Sequence, residues 1–329
     1  MDFRTTFSTE PSPVKISHGD PVLFIGSCFA TSIGGKLAEG KVPVMINPSG
    51  TVYNPASVSV TLDTALSGRL YRKEDLYNYQ GTWLSFDHYT DFSSLSFEET
   101  LALVNEKAAE ASAFLSSAKF LFITFGTARV YRLRQNGRIV SNCHKLPSRE
   151  FINELLSVDE ICKIWSRKLD ELKLRYPALK VVFSISPVRH MKDGAHGNQV
   201  SKSTLFLAIE KLLGHPSAPQ YFPAYELLMD DLRDYRFYAG DMLHPSPEAV
   251  EYIWDAFMSV YFSKETRELW NECSSIGKGM NHIIRSDSPA QVSAFAAAML
   301  RKIDAVSAKA PHVNLANERV YFNSLQQKV

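Results

Sequence analysis

A cysteine follows directly on the first apolar run of the sequence. Val22 to Gly26 reads VLFIG, which is typical of a buried strand ending in glycine, and Cys28 lies two residues further on. A nucleophile at such a strand-to-helix turn lies near the positive end of the helix, which stabilises a thiolate. Backbone N–H groups at the turn can receive an oxyanion. The alternative interpretation is a small buried cysteine in a tight turn.

Asp241 and His244 form the second candidate pair. They lie three residues apart, just before Ser246-Pro247, which is typical of a helix start. An aspartate at this spacing can fix the tautomer of the imidazole and offset its charge when it is protonated. A capping aspartate beside a surface histidine is the alternative.

Buried strands alternate with helical patterns along the chain, without in–out alternation in the strands. This pattern predicts a doubly wound, mostly parallel α/β sheet in a three-layer, flavodoxin-like arrangement. Ligands bind beyond the carboxyl ends of such strands, so we expect the site after Ile25, Phe125 and Ile185. The predicted strands are Val22 to Gly26, Val42 to Ile46, Lys119 to Gly126 and Leu179 to Ser186. The predicted helices run to about Leu37, from Ser96 to about Ser117, from Ser157 to about Arg175, from Val200 to Leu213, and onward from Ser246.

Three segments depart from this alternation. Gly68 to Ser94 predicts a long loop insertion, and Val130 to Ser141 predicts a hairpin turning at Asn136-Gly137. The chain beyond about Ser263 is helical. We therefore predict a catalytic domain at 1–262 and a helical extension at 263–329 that packs on it. An apolar stripe at helical spacing would make that contact or, alternatively, a dimer contact; it comprises Val292, Phe295, Met299 and Ile303.

Composition excludes several classes of protein. The 329 residues are 45% hydrophobic and 22% charged, with a net charge of +1, so bulk charge gives no attraction to nucleic acid or membranes. The sequence has no membrane-length apolar run and no signal-peptide core at its start, which predicts a cytoplasmic protein. The four cysteines are scattered, and neither a metal-ligand cluster nor a glycine-rich phosphate loop is present. We predict no cofactor and no metal.

Several segments resemble the GSCFA family, which is similar in fold to the SGNH, or GDSL-like, hydrolases. The motifs occur in family order over roughly residues 3 to 262. They include FRT, GSCFATSIG, NPSGTVYNPAS, WLSFDHYTDFSS, FGTARVY, NCHKLP, SPVRHMKDG, NQVSKSTL and DMLHPS. The resemblance implies an acyl ester or thioester hydrolase, or an acyltransferase. A non-catalytic carbohydrate- or small-ligand-binding protein on the same fold is the alternative.

The resemblance also implies roles for residues. Laying the superfamily's Gly-Asp-Ser on the first motif places the nucleophile at Cys28, whereas a slip of one residue would place it at Ser27 and require a gap in a tight turn. A thiolate suits acyl transfer because it needs less help from a base than serine does. His244 would be the general base and Asp241 would orient it.

The oxyanion hole departs from the superfamily pattern. The superfamily's site residues come from consecutive sequence motifs called blocks. The second block supplies a glycine whose N–H points into the site, and Gly50 is the candidate for it. Gly126 and Thr127, in the third block, are also candidates for oxyanion or substrate binding. That block normally continues to an asparagine, but here Ala128 follows. Asn142, which the hairpin should return beside Gly126, is a candidate replacement or, alternatively, a cap of the hairpin exit.

Three further residues are candidates for substrate binding. His144 lies on the returning hairpin, and His190 follows a strand at the carboxyl edge. Arg189, with His190 and Lys192, forms a candidate cationic cluster for a carboxylate or phosphate; a solvated loop is the alternative. The expected partner is a small-molecule or carbohydrate acyl substrate; an oligomer through the C-terminal helix is the alternative to packing of that helix on the domain.

Overall fold

The computed structural model describes residues 5–282 and 288–327, so Phe3 of the N-terminal motif lies outside the described residues. The strands are β1 Val22–Gly26, β2 Val44–Ile46, β3 Tyr77–Tyr79, β4 Thr82–Leu84, β5 Phe120–Phe125, β6 Arg129–Leu133, β7 Ile139–Val140, β8 Phe151–Leu155, β9 Lys180–Ile185 and β10 Gln220–Phe222. The helices are α1 Cys28–Glu39, α2 Pro55–Ser67, α3 Phe97–Ser117, α4 Val158–Arg175, α5 Gly194–Leu213, α6 Ala224–Glu226, α7 Pro247–Tyr261, α8 Lys264–Met280, α9 Pro289–Lys309 and α10 Ala316–Gln327.

Five parallel strands form the central sheet, in the order β2-β1-β5-β9-β10. This is the doubly wound arrangement that the sequence predicted, and the prediction is confirmed. The chain winds outward in both directions from the pair β1 and β5. In such sheets the crevice beyond the carboxyl ends of this central pair is the usual ligand site.

The central strands are buried on both faces, which explains their continuous apolar sequence. In β1, Leu23 and Ile25 pack toward α2, α4 and α5. Val22 and Phe24 pack on the other face, against α1 and α7. All four side chains are at most 2% exposed. A strand covered by helices on both sides has no solvent-facing positions, so its hydrophobicity does not alternate.

Helix α2 was not predicted, although its ends carry clear signals. Asn54 caps it by accepting a hydrogen bond from the Ser57 N–H at 2.9 Å, and Pro55 occupies its first position. Gly68 ends it in the left-handed conformation. Most of its residues are buried, so the helix lacks the polar face that makes a helical period visible in a sequence.

The hairpin and the insertion have more structure than predicted. Strands β6 and β7 pair across the predicted Asn136-Gly137 turn, and β8 adds an unpredicted third strand beside β6. Within the segment predicted to be a long loop, β3 and β4 form a short antiparallel hairpin. The insertion and this three-stranded sheet share a small apolar cluster that includes Phe86, Val140 and Phe151.

Helix α8 packs on α1, and α9 and α10 pack on α8. A Cβ on Gly40, at the end of α1, would lie within 1.9 Å of the Trp270 ring, so the two helices meet in close contact there. The predicted stripe contributes to a separate core with α8 and α10, in which Ile303 is fully buried and Phe295 and Met299 are partly buried. None of the helices in the described parts of the chain is long and apolar enough to cross a bilayer.

Candidate functional site

Cys28 and Ser27 have different environments at the turn after β1. Cys28 is the first residue of α1 and lines a cavity of about 570 Å³ at the carboxyl edge of the sheet. Ser27 is 1% exposed, and its Oγ accepts a hydrogen bond from the Phe29 N–H at 3.3 Å as the helix cap. This placement favours Cys28 over Ser27 as the nucleophile.

The turn depends on Gly26, which has a φ of +152°. A Cβ at this position would lie 2.2 Å from the carbonyl oxygen of Thr124 on the neighbouring strand. The Gly26 N–H donates to Asn47 Oδ1 at 2.8 Å, and its carbonyl accepts from the Val52 N–H at 3.0 Å. These bonds hold the turn from Gly26 to Cys28 against the loop after β2.

Asp241 holds His244 in one orientation. Its Oδ2 lies 2.6 Å from His244 Nδ1, while its Oδ1 accepts the backbone N–H groups of His244 and Leu243 at 3.0 and 2.9 Å. The two backbone bonds and the imidazole contact keep the pKa of Asp241 well below its usual range. A carboxylate at Nδ1 favours the tautomer with the proton there, which leaves Nε2 to act as a base. His244 lines the same cavity as Cys28.

Tyr53 is the polar neighbour of the Cys28 thiol. Its hydroxyl lies 3.7 Å from Cys28 Sγ. Burial raises the pKa of Tyr53, and the adjacent Cys28 and Tyr89 raise it further. Within the described residues, Cys28 and His244 share the cavity without a direct hydrogen bond. Catalytic hydrogen bonds are often long before substrate binds and shorten in the complex.

His190 lines the cavity as a neutral ring. Its Nε2 has no hydrogen-bond partner among the described residues and lies 3.0 Å from the position of a Cβ on Gly126. Burial lowers the pKa of His190 to about 4, with smaller contributions from Lys202 and His244. At neutral pH His190 therefore adds hydrogen-bonding groups to the cavity and no charge. It contributes no positive charge to the cationic cluster that was predicted with Arg189 and Lys192.

Near His190, a buried lysine binds the backbone at the carboxyl ends of two strands. Lys202, 2% exposed, donates to the carbonyl oxygens of Gly126 and Ser186 at 2.7 and 2.6 Å. These carbonyls follow β5 and β9, so the ammonium ties the carboxyl ends of two neighbouring strands together. Burial lowers the pKa of Lys202 to about 7.

Arg189 lies beside the loop that carries His244. Its guanidinium donates to the carbonyl oxygen of Met242, and its backbone N–H donates to that of Leu243 at 3.2 Å. The guanidinium also lies over the ring of Tyr238, 4.7 Å from its centroid. Lys192 is engaged elsewhere, since its Nζ donates to the Tyr131 hydroxyl at 2.8 Å. Arg189 still lines the cavity, with its Nη2 bonded to the Met242 carbonyl and its Nε without a hydrogen-bond partner among the described residues.

Most of the N–H groups predicted to receive an oxyanion already have partners. The Gly50 N–H donates to the Asn47 carbonyl at 2.7 Å. The N–H groups of Gly126 and Thr127 both donate to the Tyr53 carbonyl, at 2.7 and 3.0 Å. These bonds leave no free backbone donor at the three predicted positions.

The Cys28 N–H is a different case. It belongs to the first turn of α1, where backbone donors have no partner within the helix. No partner for it occurs among the described residues. This N–H group is therefore a candidate hydrogen-bond donor at the turn that carries Cys28.

Asn142 and His144 are engaged on the hairpin side. Asn142 lines the cavity, but its Nδ2 donates to Thr90 Oγ1 at 3.3 Å and its Oδ1 accepts the His144 N–H at 2.8 Å. His144 is 8% exposed, and its Nε2 lies 2.8 Å from the Ser85 carbonyl oxygen. The predicted substrate contact of His144 is therefore replaced by a contact with the insertion, because a positive φ of 48° turns the chain there.

Sequence analysis missed several residues that line the cavity. Tyr53 and Asn54 come from the segment between β2 and α2, and Arg129 and Asn153 come from the three-stranded sheet. The Asn54-Pro55 pair was a detectable signal, because asparagine before proline is typical of a helix cap. In the described parts of the chain, no group of three or more His, Cys, Asp or Glu residues is arranged to hold a metal ion.

Comparisons with known proteins give one family match and several remote structural likenesses. The model of the GSCFA family matches residues 21–257. An acetylxylan esterase from Geobacillus stearothermophilus is 10% identical, with 76% of this chain and 98% of the other covered and a TM-score of 0.40. A protein described as a GDSL-like lipase from Parabacteroides merdae is 12% identical, with 79% and 100% covered and a TM-score of 0.37. No match to a curated protein was found.

Proposed function

The chain belongs to the GSCFA family, and on that premise we propose that it is an SGNH-like acyl ester or thioester hydrolase or acyltransferase with Cys28 as its nucleophile. The observation that carries the proposal is that Cys28 and His244 line one cavity at the carboxyl edge of the sheet, with Asp241 in contact with His244 Nδ1. Ser27, buried as a helix cap, is the less suitable nucleophile.

The proposed reaction has two steps. The sulfur of Cys28 attacks the acyl carbonyl carbon, its proton passes to His244 Nε2, and the carbonyl electrons move onto oxygen. The intermediate collapses as the bond to the leaving oxygen or sulfur breaks, and that group takes the proton from His244. Water or an acceptor hydroxyl then gives a proton to His244 and attacks the thioester, which releases the acyl group and restores Cys28.

The cavity lining supports a polar, sugar-like group on one side of the scissile bond. Tyr89 and Tyr131 contribute aromatic rings to the lining, and such rings suit the C–H faces of carbohydrates. The amides of Asn142 and Asn153 already bond to neighbouring residues. We propose a small-molecule or carbohydrate acyl ester as the substrate class, with water or a hydroxyl as the acceptor.

A binding protein on the same fold is the second candidate. The absence of the third-block asparagine, at Ala128, favours it, since an acyl-transfer enzyme loses rate without oxyanion donors. The Asp241–His244 contact at 2.6 Å opposes it, because ligand binding alone has no need of an oriented base.

Covalent trapping tests the proposal. The protein is mixed with p-nitrophenyl acetate and quenched early, and the acylated residue is mapped by peptide mass spectrometry beside a His244→Ala control. We expect acetyl on Cys28 that depends on His244. Acetyl on Ser27 would keep the enzyme class and move the nucleophile by one residue. Scattered lysine labelling that is unchanged in the control would favour the binding protein.

A further inference from the structure

Asn54 is the cavity-lining amide best placed to stand in for the missing third-block asparagine. It is 6% exposed, and its Oδ1 is fixed as the cap of α2 by the bond from the Ser57 N–H at 2.9 Å. Its Nδ2 has no hydrogen-bond partner among the described residues and does not belong to their buried unpartnered atoms. A donor with accessible surface on a residue that lines this cavity can reach a bound ligand.

The backbone around Asn54 connects the first and third blocks of the site. The Val52 N–H donates to the Gly26 carbonyl at 3.0 Å, next to the nucleophile turn. The Tyr53 carbonyl receives the N–H groups of Gly126 and Thr127, and the Tyr53 hydroxyl lies 3.7 Å from Cys28 Sγ. Asn54 is the next residue in the chain and lines the same cavity as Cys28 and Thr127.

We propose that Asn54 is a catalytic residue whose Nδ2 donates a hydrogen bond to the oxyanion formed when Cys28 attacks an acyl carbonyl. This inference rests on the proposed function and assigns its second donor, beside the Cys28 N–H. Pre-oriented donors of this kind act mainly on the transition state, because the charge on oxygen develops there. Asn54 is pre-oriented since its other amide atom is held by the helix cap.

The cap allows the donor to be removed without removing the helix signal. Serine and aspartate cap helices about as well as asparagine. Asn54→Ser and Asn54→Asp therefore keep an acceptor for the Ser57 N–H and lose the amide donor, and Asn54→Asp adds a negative charge that opposes an oxyanion. Asn314→Ser is the matched control, because Asn314 Oδ1 likewise accepts a backbone N–H, that of Ala316, and Asn314 does not line the cavity.

The experiment compares two reactions of the same sulfur in the full chain. Acylation of Cys28 by p-nitrophenyl acetate forms an oxyanion, whereas alkylation by iodoacetamide displaces iodide and forms none. For Asn54→Ser we expect acylation about 100-fold slower, alkylation at the wild-type rate and an unchanged Tm. Asn54→Asp should lose at least as much, and Asn314→Ser should retain acylation.

The outcomes separate this inference from the proposed function. Asn54→Ser acylating at the wild-type rate, while His244→Ala does not acylate, would overturn the role of Asn54 and leave the proposed function standing. Equal losses of acylation and alkylation in Asn54→Ser would also overturn it, since they indicate a general disturbance of Cys28. Wild-type protein that alkylates Cys28 but shows no His244-dependent acylation would overturn the proposed function and the inference with it.

Discussion

The guanidinium of Arg189 donates a hydrogen bond to the carbonyl oxygen of Met242, two residues before His244. Met242 has a positive φ of 59°, so the loop makes a sharp turn at the point where Arg189 holds it. The contact joins the loop after β9 to the loop before α7. We therefore expect Arg189 to position His244.

Replacing Arg189 should lower the catalytic rate and leave substrate binding little changed. Without the guanidinium, the Met242 carbonyl would lose this donor, and we expect the loop that carries His244 to shift relative to the cavity. A displacement of about 1 Å in a catalytic group costs on the order of 100-fold in rate. For Arg189→Lys we expect kcat to fall about 10- to 100-fold with KM little changed.

Steady-state kinetics with p-nitrophenyl acetate, beside Cys28 alkylation, measure this effect. Arg236→Lys is the control, because Arg236 is exposed and pairs with Asp234 outside the cavity. A wild-type kcat in Arg189→Lys, or a loss confined to KM, would contradict the positioning role.

Ser27 and Cys28 should give opposite results when each is replaced by alanine. Ser27→Ala removes the cap of α1, so we expect the free energy of unfolding to fall by about 1 kcal/mol while Cys28 is still acylated. Cys28→Ala should abolish acylation, with little effect on stability. Urea denaturation and mass spectrometry measure the two properties; loss of acylation in Ser27→Ala with a remaining label in Cys28→Ala would make Ser27 the nucleophile.

The difficulty of choosing between these two residues shows where sequence reasoning stops. The strands, the doubly wound order and the carboxyl edge follow from apolar runs, because a strand buried on both faces leaves a local signature. The exposure of neighbouring side chains at a turn is a three-dimensional property. Ser27 and Cys28 differ in exposure at a turn whose shape depends on the close contact between Gly26 and Thr124 of β5, which is far away in sequence.

The oxyanion donors were hard to predict for a related reason. The sequence marks Gly50, Gly126 and Thr127 as flexible or small residues at the right strand ends. It does not show that Tyr53 and Asn47 supply the carbonyl groups that occupy their N–H groups. The bonds to Tyr53 join segments distant along the chain and depend on how the loops after β2 and β5 pack together, whereas the bond from Gly50 to Asn47 closes a local turn.

Tyr53→Phe should slow both reactions of Cys28. The Tyr53 hydroxyl, 3.7 Å from the sulfur, can donate to it as negative charge develops, and a hydrogen bond to a charged group contributes about 1.5–3 kcal/mol. We expect acylation and alkylation each to be about tenfold slower at pH 7. Tyr131→Phe is the control, because that hydroxyl contacts Lys192; equal rates in wild type and Tyr53→Phe would exclude this role.

Alanine at Gly26 and at Gly35 should change stability in opposite directions. Gly26 has a φ of +152°, and an added Cβ would lie 2.2 Å from the Thr124 carbonyl oxygen, so we expect a loss of about 3 kcal/mol or more. Gly35 lies within α1, and nothing lies within 4 Å of an added Cβ. Gly35→Ala should stabilise the protein by about 0.5–1 kcal/mol. Denaturant unfolding of both variants measures the difference, and a stable Gly26→Ala would contradict the close packing of the turn.

His88 should make the protein less stable in mild acid. It is 1% exposed, with its Nδ1 2.8 Å from Ser85 Oγ. Burial lowers its pKa from 6.5 to about 4; Asp87 opposes that shift, and His144, Arg69 and Arg138 add to it. The unfolded chain therefore binds a proton between pH 6.5 and 4 that the folded protein does not bind. The contribution of His88 to the free energy of unfolding is complete above pH 6.5 and falls by about 3 kcal/mol on acidification to pH 4.

The contribution of His88 is isolated by comparing variants. Asn at position 88 can retain a hydrogen bond to Ser85 but does not titrate, so His88→Asn should show a shallower loss of stability between pH 6.5 and 4 than wild type. His196→Asn serves as the control, because His196 is exposed. Urea denaturation at half-unit pH intervals gives the three slopes. A His88→Asn slope equal to that of wild type would show that the folded protein protonates His88 as readily as the unfolded chain does, against the burial argument.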